Sequence, residues 1–217
     1  MMLSLSLFAT IITAPNTPTY YHSLPLAIKN TDVPVKKIAA TYSVPDVPFY
    51  SQFKDVKSPT WQKQACGVVS LAMLIDYYKP DTMSVEKLLA EGITAGAYNE
   101  ASGWTYKGLI QLGEKYGLSG NSYDLSKQSS EIAFQEFKKY LSDGPAIVSI
   151  HYKFDPKSTI PHLIVINGIK DDIIYYNDPA AKTGEKKISV AGFLKGWKKR
   201  FIVMRPTVTN KEVAFEI

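Results

Sequence analysis

An almost unbroken apolar run next to the single cysteine of the chain limits the folds that the chain can adopt. Between Val68 and Tyr78 the only clearly polar residues are Ser70 and Asp76, and the run contains neither proline nor glycine. It is too long for an ordinary strand, so it predicts a buried helix of three turns. We expect this helix to begin at or just after Cys66 and to form the centre of the fold.

Cys66 is a candidate nucleophile because of its predicted position. A thiol at a helix N-terminus lies close to unpaired N–H groups and to the positive end of the helix dipole, which favour the thiolate form. Gly67 suits a position where the backbone packs closely against another segment. Free cysteine is also among the most buried residue types and often acts as a small hydrophobic residue. The assignment therefore depends on whether a base lies nearby.

Composition excludes other classes of protein. Hydrophobic residues make up 45% of the 217 residues, which is enough for a substantial core, and one cysteine cannot form an internal disulfide. Only two of the 25 basic residues are arginines, which argues against nucleic-acid recognition. Three histidines and one cysteine, without a histidine pair at helical spacing, do not make a usual zinc site, and no glycine-rich phosphate loop is present. We expect no nucleic acid, no metal and no cofactor.

Both ends of the chain differ from the part between them. Residues 1–14 are apolar and uncharged, shorter than the roughly 20 residues that cross a bilayer, and predict a signal or membrane-associated segment. They favour an extracytoplasmic or secreted protein, with a cytoplasmic location as the alternative, and membrane association only through this segment. The proline-containing residues 15–44 predict a linker or pro-segment, and residues 208–217 a tail.

Helical patterns precede β patterns in residues 45–207. Residues 44–50 contain Pro45 and Pro48 and predict an edge strand or an extended clasp. Besides the central helix, helices are predicted at 85–90 (with Ser84 as its N-cap), 105–116 and 130–141. Short segments rich in β-branched and aromatic residues follow at 146–152, 162–169, 173–177, 187–190 and 201–205. This order predicts an α+β domain of two layers, with the helices packed on an antiparallel sheet.

The histidines determine whether the thiol has a base. A catalytic thiol needs an imidazole to accept its proton, and the imidazole needs a carboxylate or an amide to orient it. His22 lies in the predicted linker, and His151 suits a half-exposed strand position. His162 begins a predicted strand, an end position from which a side chain can reach into a cleft. His162 is therefore the candidate general base.

Two neighbouring residues are candidates to orient His162. Asp178 and Asn177 both lie at the end of the next predicted strand. A two-residue turn at 171–172 would place Asp178 opposite Val165, on the other face of the sheet from His162. A turn of odd length, or one bulge, would instead place Asp178 directly across from His162. Asp178 can also make only an Asx turn before the following proline.

The order of these motifs resembles a known family. VPFYSQ, WQKQACGVVSLAMLIDYY, GWTYKGL, DGPAIVSI, HLIVINGI and YYNDP occur in the order found in stand-alone bacterial members similar to the bacteriocin (double-glycine leader) processing peptidases, which are papain-like cysteine peptidases. The resemblance spans residues 45–206. It implies a papain-like fold in which the central helix carries the nucleophile Cys66. It further implies His162 as the general base and Asp178 as the orienting residue.

The oxyanion site is where the chain departs from the papain pattern. That pattern has a glutamine six residues before the cysteine, and Thr60 occupies this position here. Gln64 and Gln62 are the available amides, and we favour Gln64 with the backbone N–H of Cys66 as the second donor.

We expect a cysteine peptidase that hydrolyses peptide or isopeptide bonds of a peptide or protein substrate through a thioester acyl-enzyme. The alternatives are a catalytically weak or inactive peptide-binding module on the same fold, or a thiol amidase or acyltransferase acting on a non-peptide acceptor.

Overall fold

The apolar run forms the central helix of the fold. A computed structural model describes residues 44–207, and in it the helix spans Cys66–Tyr78, so it begins at the cysteine as predicted. Every residue from Gly67 to Ile75 is buried, which explains why the run shows no polar face. The predicted segments 1–14 and 208–217, and the predicted linker or pro-segment up to residue 43, lie outside the described residues.

Six α-helices and eight strands make up residues 44–207. In chain order they are α1 (Pro59–Gln62), α2 (Cys66–Tyr78), α3 (Val85–Thr94), β1 (Tyr98–Asn99), β2 (Gly103–Trp104), α4 (Tyr106–Glu114), β3 (Leu118–Asp124), α5 (Ser130–Leu141), β4 (Ala146–His151), β5 (Pro161–Lys170), β6 (Ile173–Asn177), β7 (Lys186–Ser189), α6 (Val190–Gly196) and β8 (Trp197–Pro206). Within these residues no helix combines the length and the apolarity that crossing a membrane requires.

Six of the strands form one antiparallel sheet. Its strand order is β3-β8-β4-β5-β6-β7, and every neighbouring pair is antiparallel, as the sequence predicts. The remaining strands, β1 and β2, pair as a small separate hairpin between α3 and α4. The chain is thus an α+β protein in which the helix-rich first half is followed by most of the sheet.

The prediction of two layers is wrong, because helices cover both faces of the sheet. One apolar core joins α2, α3 and α4 to Leu163, Val165 and Ile202. A second core joins α5 and α6 to Ile164 and Ile166 on the opposite face. Alternate residues of β5 enter different cores, as the period of a strand requires. The central strands are consequently buried on both faces, which explains their nearly continuous apolar sequences.

Other predicted elements need smaller corrections. Ser84 caps α3 through the N–H of Lys87 as predicted, but the helix continues to Thr94 instead of ending at residue 90. The segment predicted as a strand at 187–190 is divided between β7 and α6. Strand β3 was not predicted, because only Leu118 of its seven residues is buried. Residues 44–50 form no strand, so the predicted edge strand is wrong, and the side chain of Asn177 holds this segment through the carbonyls of Val47 and Pro48.

Candidate active site

Cys66 is the first residue of α2 and lines a cavity of about 740 Å³. The residue before it, Ala65, gives no side-chain cap to the helix, so the first N–H groups of α2 have no partner from the capping residue. The thiol is half-buried. Its backbone therefore presents unpaired donors at the point where the sulfur meets the cavity.

Gly67 allows this close arrangement. A Cβ atom at position 67 would lie 2.6 Å from Cβ of Trp104 and 2.7 Å from its Cγ, closer than two carbon atoms can approach. Trp104 is buried and donates a hydrogen bond from Nε1 to the carbonyl of Gln64, 2.7 Å away. The indole thus fixes the turn that leads into Cys66, and the prediction of close backbone packing at Gly67 is confirmed.

His162 lies beside Cys66 in the same cavity. It is the second residue of β5, pairs with Ile150 of β4, and is only 4% exposed. Its Nε2 lies 2.6 Å from Oδ1 of Asp178. Because Nε2 is engaged by the carboxylate, Nδ1 is the ring nitrogen available to the thiol. The ring of Tyr152 packs edge-on against the imidazole, with 5.2 Å between the ring centroids.

A single bulge brings Asp178 to His162. Strands β5 and β6 are joined by a two-residue turn at Asp171 and Asp172, whose φ angles are 50° and 58°, as in a type I′ turn. Asn167 is an extra residue between the pairs Ile166–Tyr176 and Gly168–Tyr175. The pairing then continues to Val165 and residue 177, so Asp178 falls on the face of His162.

The expected register is therefore corrected in one respect. Asp178 is two residues along the strand from His162, not directly across, which is a diagonal separation that long side chains can bridge. Oδ1 of Asp178 also accepts the N–H of Ala180 at 2.8 Å. The carboxylate thus makes the Asx turn and holds the imidazole at the same time, so the two predicted roles do not exclude one another.

Asn177, the alternative orienting residue, is engaged elsewhere. Its side chain is fully buried, and its Nδ2 donates to the carbonyl of Val47 at 2.9 Å and of Pro48 at 3.4 Å. Its Oδ1 accepts the N–H of Glu185 at 2.9 Å. Asn177 therefore fastens the extended clasp to the end of β6, and the structure brings Asp178 but not Asn177 to His162.

The environment of His162 favours its protonated form. Burial is the largest influence and lowers the pKa of His162, but hydrogen bonds to Asp178 and Cys66, together with their charges, outweigh it and raise the pKa from 6.5 to about 9. At neutral pH the imidazole therefore carries a proton between a carboxylate and a thiol. This arrangement suits an ion pair of thiolate and imidazolium.

The two candidate oxyanion glutamines lie in different places. Gln64 lines the cavity with Cys66, and its Oε1 accepts a hydrogen bond from the hydroxyl of Tyr98. Oε1 is held by this hydroxyl, and Nε2 of Gln64 has no hydrogen-bond partner among residues 44–207, so Nε2 is the available donor of the amide. Gln62 is turned away: its Nε2 donates to the carbonyls of Phe53 at 3.3 Å and Val56 at 2.8 Å. Gln62 thus stabilises the loop before α1, and Gln64 is the amide that the structure places at the cavity.

Comparison with known proteins identifies the family. The model of the Peptidase_C39 like family matches residues 44–203, which is most of the chain. The chain belongs to the Peptidase_C39 like family. It is accordingly a cysteine-type peptidase. Among curated protein sequences, none is significantly similar to the chain.

Solved structures with the same fold include three peptidases. A double glycine motif protease from an AMS/PCAT transporter, in complex with the leader peptide, is 23% identical over 77% of this chain and 96% of that chain, with a TM-score of 0.54. A C39-like peptidase from Bacillus anthracis is 18% identical over 76% and 98%, with a TM-score of 0.52. The peptidase domain of Streptococcus ComA, a bi-functional ABC transporter involved in a quorum-sensing pathway, is 20% identical over 67% and 93%, with a TM-score of 0.50. At these identities the likeness shows the papain-like fold, as the sequence predicts.

The cavity of this C39-like peptidase has walls that the sequence did not assign. The segment between α3 and α4 contains the β1–β2 hairpin, which places Tyr98 and Trp104 on one wall. On another wall lie Ser149, Lys198 and Arg200, from the adjacent strands β4 and β8. Within the described residues, histidine, cysteine and carboxylate side chains form no cluster of three that could hold a metal ion.

Proposed function

We propose that Cys66, His162 and Asp178 act together as a catalytic triad that hydrolyses peptide bonds. The hydrogen bond between His162 and Asp178, made inside the cavity that Cys66 also lines, is the observation that carries this proposal. A buried imidazole fixed by a carboxylate and adjacent to a thiol matches the geometry that nucleophilic catalysis by cysteine requires. His151, by contrast, donates from Nδ1 to the carbonyl of Ser158 at 2.9 Å and does not line the cavity.

The first half-reaction forms a thioester. The thiolate sulfur of Cys66 attacks the carbonyl carbon of the substrate and produces a tetrahedral intermediate that carries a negative oxygen. The intermediate collapses, the carbon–nitrogen bond breaks, and the imidazolium of His162 gives its proton to the departing amine. The amine product leaves, and the acyl group stays attached to the sulfur while His162 is neutral.

The second half-reaction restores the enzyme. Neutral His162 accepts a proton from a water molecule, whose oxygen attacks the thioester carbonyl. The carbon–sulfur bond then breaks, the acyl group leaves as a carboxylic acid, and the thiolate and imidazolium are regenerated. Asp178 orients the ring throughout and stabilises its positive charge. An isopeptide bond would be cleaved by the same sequence of steps.

Gln64 and the backbone N–H of Cys66 are the donors that we assign to the negative oxygen. The N–H of Cys66 is one of the unpaired groups at the start of α2, and the Gln64 side chain is held beside the cavity by Tyr98. Donors that are already in position stabilise the developing charge without reorganisation. Trp104, which binds the carbonyl of Gln64, positions both donors because it fixes the turn between them.

The substrate that best fits this site is an extended peptide. The cavity has a volume of about 740 Å³, and its lining includes residues of the β1–β2 hairpin and of β8 besides Cys66 and His162. The transporter-derived protease of the same fold was solved in complex with a leader peptide, which supports a peptide as the ligand of this fold. We therefore propose that the chain binds several residues of a peptide on each side of the cleaved bond.

The test combines peptide cleavage with detection of the acyl-enzyme. We would incubate a synthetic library of blocked decapeptides with the wild type and with Cys66→Ala, His162→Gln and Asp178→Asn, and identify the products by mass spectrometry. His151→Gln is the matched control, because it removes a histidine that lies outside the cavity. Cleavage by the wild type and the control, but not by Cys66→Ala, together with a hydroxylamine-sensitive adduct on Cys66, supports the proposal. Equal cleavage by Cys66→Ala would refute it.

A further inference from the structure

Strand β8 has a bulge at two neighbouring lysines, Lys198 and Lys199. Ser149 of β4 pairs with Arg200, but the next residue, Ile150, pairs with Trp197, so two residues of β8 are extra at this point. The second of them, Lys199, has a φ angle of 57°, in the left-handed region. Bulges next to active sites commonly redirect a side chain, and this one affects the strand that borders the cavity.

The two extra residues have different surroundings. Lys199 donates from Nζ to the carbonyl of Gln128 at 2.6 Å, outside the cavity. Lys198 is half-buried and lines the cavity that contains Cys66. Within residues 44–207 its ammonium group has no ion pair, hydrogen bond or aromatic partner. The bulge therefore aims an uncompensated positive charge at the substrate site.

The charged neighbours of Lys198 do not neutralise it. Arg200 is the cation whose charge acts on Lys198, and its Nε donates to Oδ2 of Asp124 at 2.9 Å, so that carboxylate compensates Arg200. Glu100 lines the cavity from the exposed loop of the β1–β2 hairpin and makes no ion pair with Lys198. Burial, and then the charge of Arg200, lower the pKa of Lys198, which is the effect of a cation held without an anion.

Neutral donors lie beside this cation. Ser149 is buried, lines the cavity, and pairs directly with Arg200 across the sheet. Tyr106 interacts with Ser149. Burial raises the pKa of Tyr106 and outweighs the opposing effects of Ser149 and of the charge of Arg200, so the Tyr106 hydroxyl remains protonated. Lysine, serine and tyrosine together offer hydrogen-bond donors around one positive charge. A carboxylate is the group that such a set binds best.

We propose that Lys198, with Ser149 and Arg200, forms a subsite for a carboxylate of the peptide substrate, either the side chain of an acidic residue or a free C-terminal carboxylate. The inference rests on the proposed function, since it assigns a specificity to the same cavity. A guanidinium already paired with Asp124 and an unpaired ammonium leave one net positive charge, which matches one carboxylate. The subsite thus selects substrates by charge.

The sheet sets the distance between this subsite and the cleaved bond. Lys198 follows Trp197, whose partner Ile150 pairs in turn with His162. Two strand spacings separate β8 from β5, or about 10 Å, which an extended peptide covers in about three residues. The acidic group is therefore expected within about three residues of the bond that Cys66 attacks.

The experiment compares acids with their amides in two sets of peptides. We would take a decapeptide cleaved by the wild type and place Glu or Gln at each of the three positions on both sides of the cleaved bond, with both termini blocked. The second set contains truncated peptides that end in a free carboxylate or in an amide within the same range. Competition between the paired peptides gives the ratio of their kcat/KM values for the wild type, Lys198→Gln, Lys198→Glu and the control Lys195→Glu. Lys195 is exposed, and its replacement changes the net charge equally without touching the cavity.

The wild type should prefer the acid about tenfold in one of the two sets, the size of one lost charge-assisted hydrogen bond. Lys198→Gln should remove the preference, Lys198→Glu should reverse it in favour of the uncharged amide, and Lys195→Glu should retain it. Whichever set shows the effect identifies the source of the carboxylate. A wild type that cleaves acids and amides alike in both sets, or a preference that survives in Lys198→Glu, overturns the inference.

Failure of the proposed function would be recognised separately. If the wild type cleaves no peptide, the catalytic proposal fails. Fluorescently labelled blocked decapeptides with Glu or Gln at each central position, and labelled peptides ending in a free carboxylate or an amide, are then tested for binding to the wild type by polarisation. Tighter binding of the acid, lost in Lys198→Gln but not in Lys195→Glu, would still support the subsite. Equal binding of acid and amide would refute it.

Discussion

Asn177 and Asp178 are neighbours in the chain, and the structure predicts opposite consequences when each is replaced. In Asn177→Ala, the carbonyl of Val47 and the N–H of Glu185 lose their buried partner. An unsatisfied buried group costs about 1–3 kcal/mol; the N–H of the exposed Glu185 can bind water instead, and the bond to Pro48 at 3.4 Å adds little, so the free energy of unfolding should fall by about 1–3 kcal/mol. The folded fraction should keep its catalytic activity.

Asp178→Asn should show the reverse pattern. The amide oxygen can still accept the N–H of Ala180, so the Asx turn is retained and the free energy of unfolding should change by only about 1 kcal/mol. The ring of His162 loses the carboxylate that orients it and stabilises its charge. We expect kcat/KM to fall by about 10²–10⁴-fold, as for other triads that lose this group.

Two assays separate these effects. Guanidinium denaturation followed by tryptophan fluorescence gives the free energy of unfolding, and initial rates with a cleaved peptide give kcat/KM for the folded enzyme. The reasoning is refuted if Asn177→Ala is as stable as the wild type but loses activity, because Asn177 would then be the orienting residue. It is equally refuted if Asp178→Asn retains full activity.

Three further predictions concern the start of α2 and the charge of His162. Gly67→Ala should destabilise the fold by about 1–3 kcal/mol in guanidinium denaturation, because its Cβ would overlap Trp104, and an unchanged midpoint would contradict the packing. Gln64→Ala should lower kcat by about 10²–10³-fold with little loss of stability, because it removes an oxyanion donor. Gln62→Ala should lower the denaturation midpoint and leave kcat unchanged, because it removes hydrogen bonds to the loop before α1. A loss of kcat in Gln62→Ala but not in Gln64→Ala would contradict the assignment. Because the pKa of His162 rises from 6.5 to about 9 on folding, its stabilising contribution is complete below pH 6.5 and is lost as pH rises through 9. The difference in free energy of unfolding between the wild type and His162→Gln should therefore shrink between pH 6.5 and 9. A constant or growing difference would contradict the raised pKa of His162.

The sequence predicts the central helix α2 but not strand β3, because the prediction depends on the pattern of buried side chains. The residues of α2 are apolar on all sides because all sides are buried, and such a long run has no alternative to a helix. Strand β3 has the sequence LSGNSYD, with one buried residue, and is held by its pairing with β8 and by contacts of Tyr123 and Asp124 with Phe201 and Arg200 of that strand. A pattern based on burial cannot detect a strand of this kind.

The predicted residues of the site depended on details that local sequence does not specify. Whether Asp178 reaches His162 is decided by the bulge at Asn167, a single extra residue whose placement depends on packing across the sheet. The direction of Lys198 likewise depends on the bulge in β8. Motif order was sufficient to propose the cysteine, histidine and aspartate, whereas the cavity wall around them required the tertiary structure.

The reactivity of Cys66 is the most direct test of the proposed thiol–imidazole pair, because the chain contains no other cysteine. The rate of alkylation by iodoacetamide would be measured from pH 5 to 10 in the wild type, His162→Ala and the control His151→Ala. A thiolate stabilised by His162 should react rapidly well below the pKa of about 8.5 of a free thiol, and this reactivity should disappear in His162→Ala and persist in the control. A slow thiol, or a fast one that is indifferent to His162, would contradict the pairing of Cys66 with His162 on which the mechanism depends.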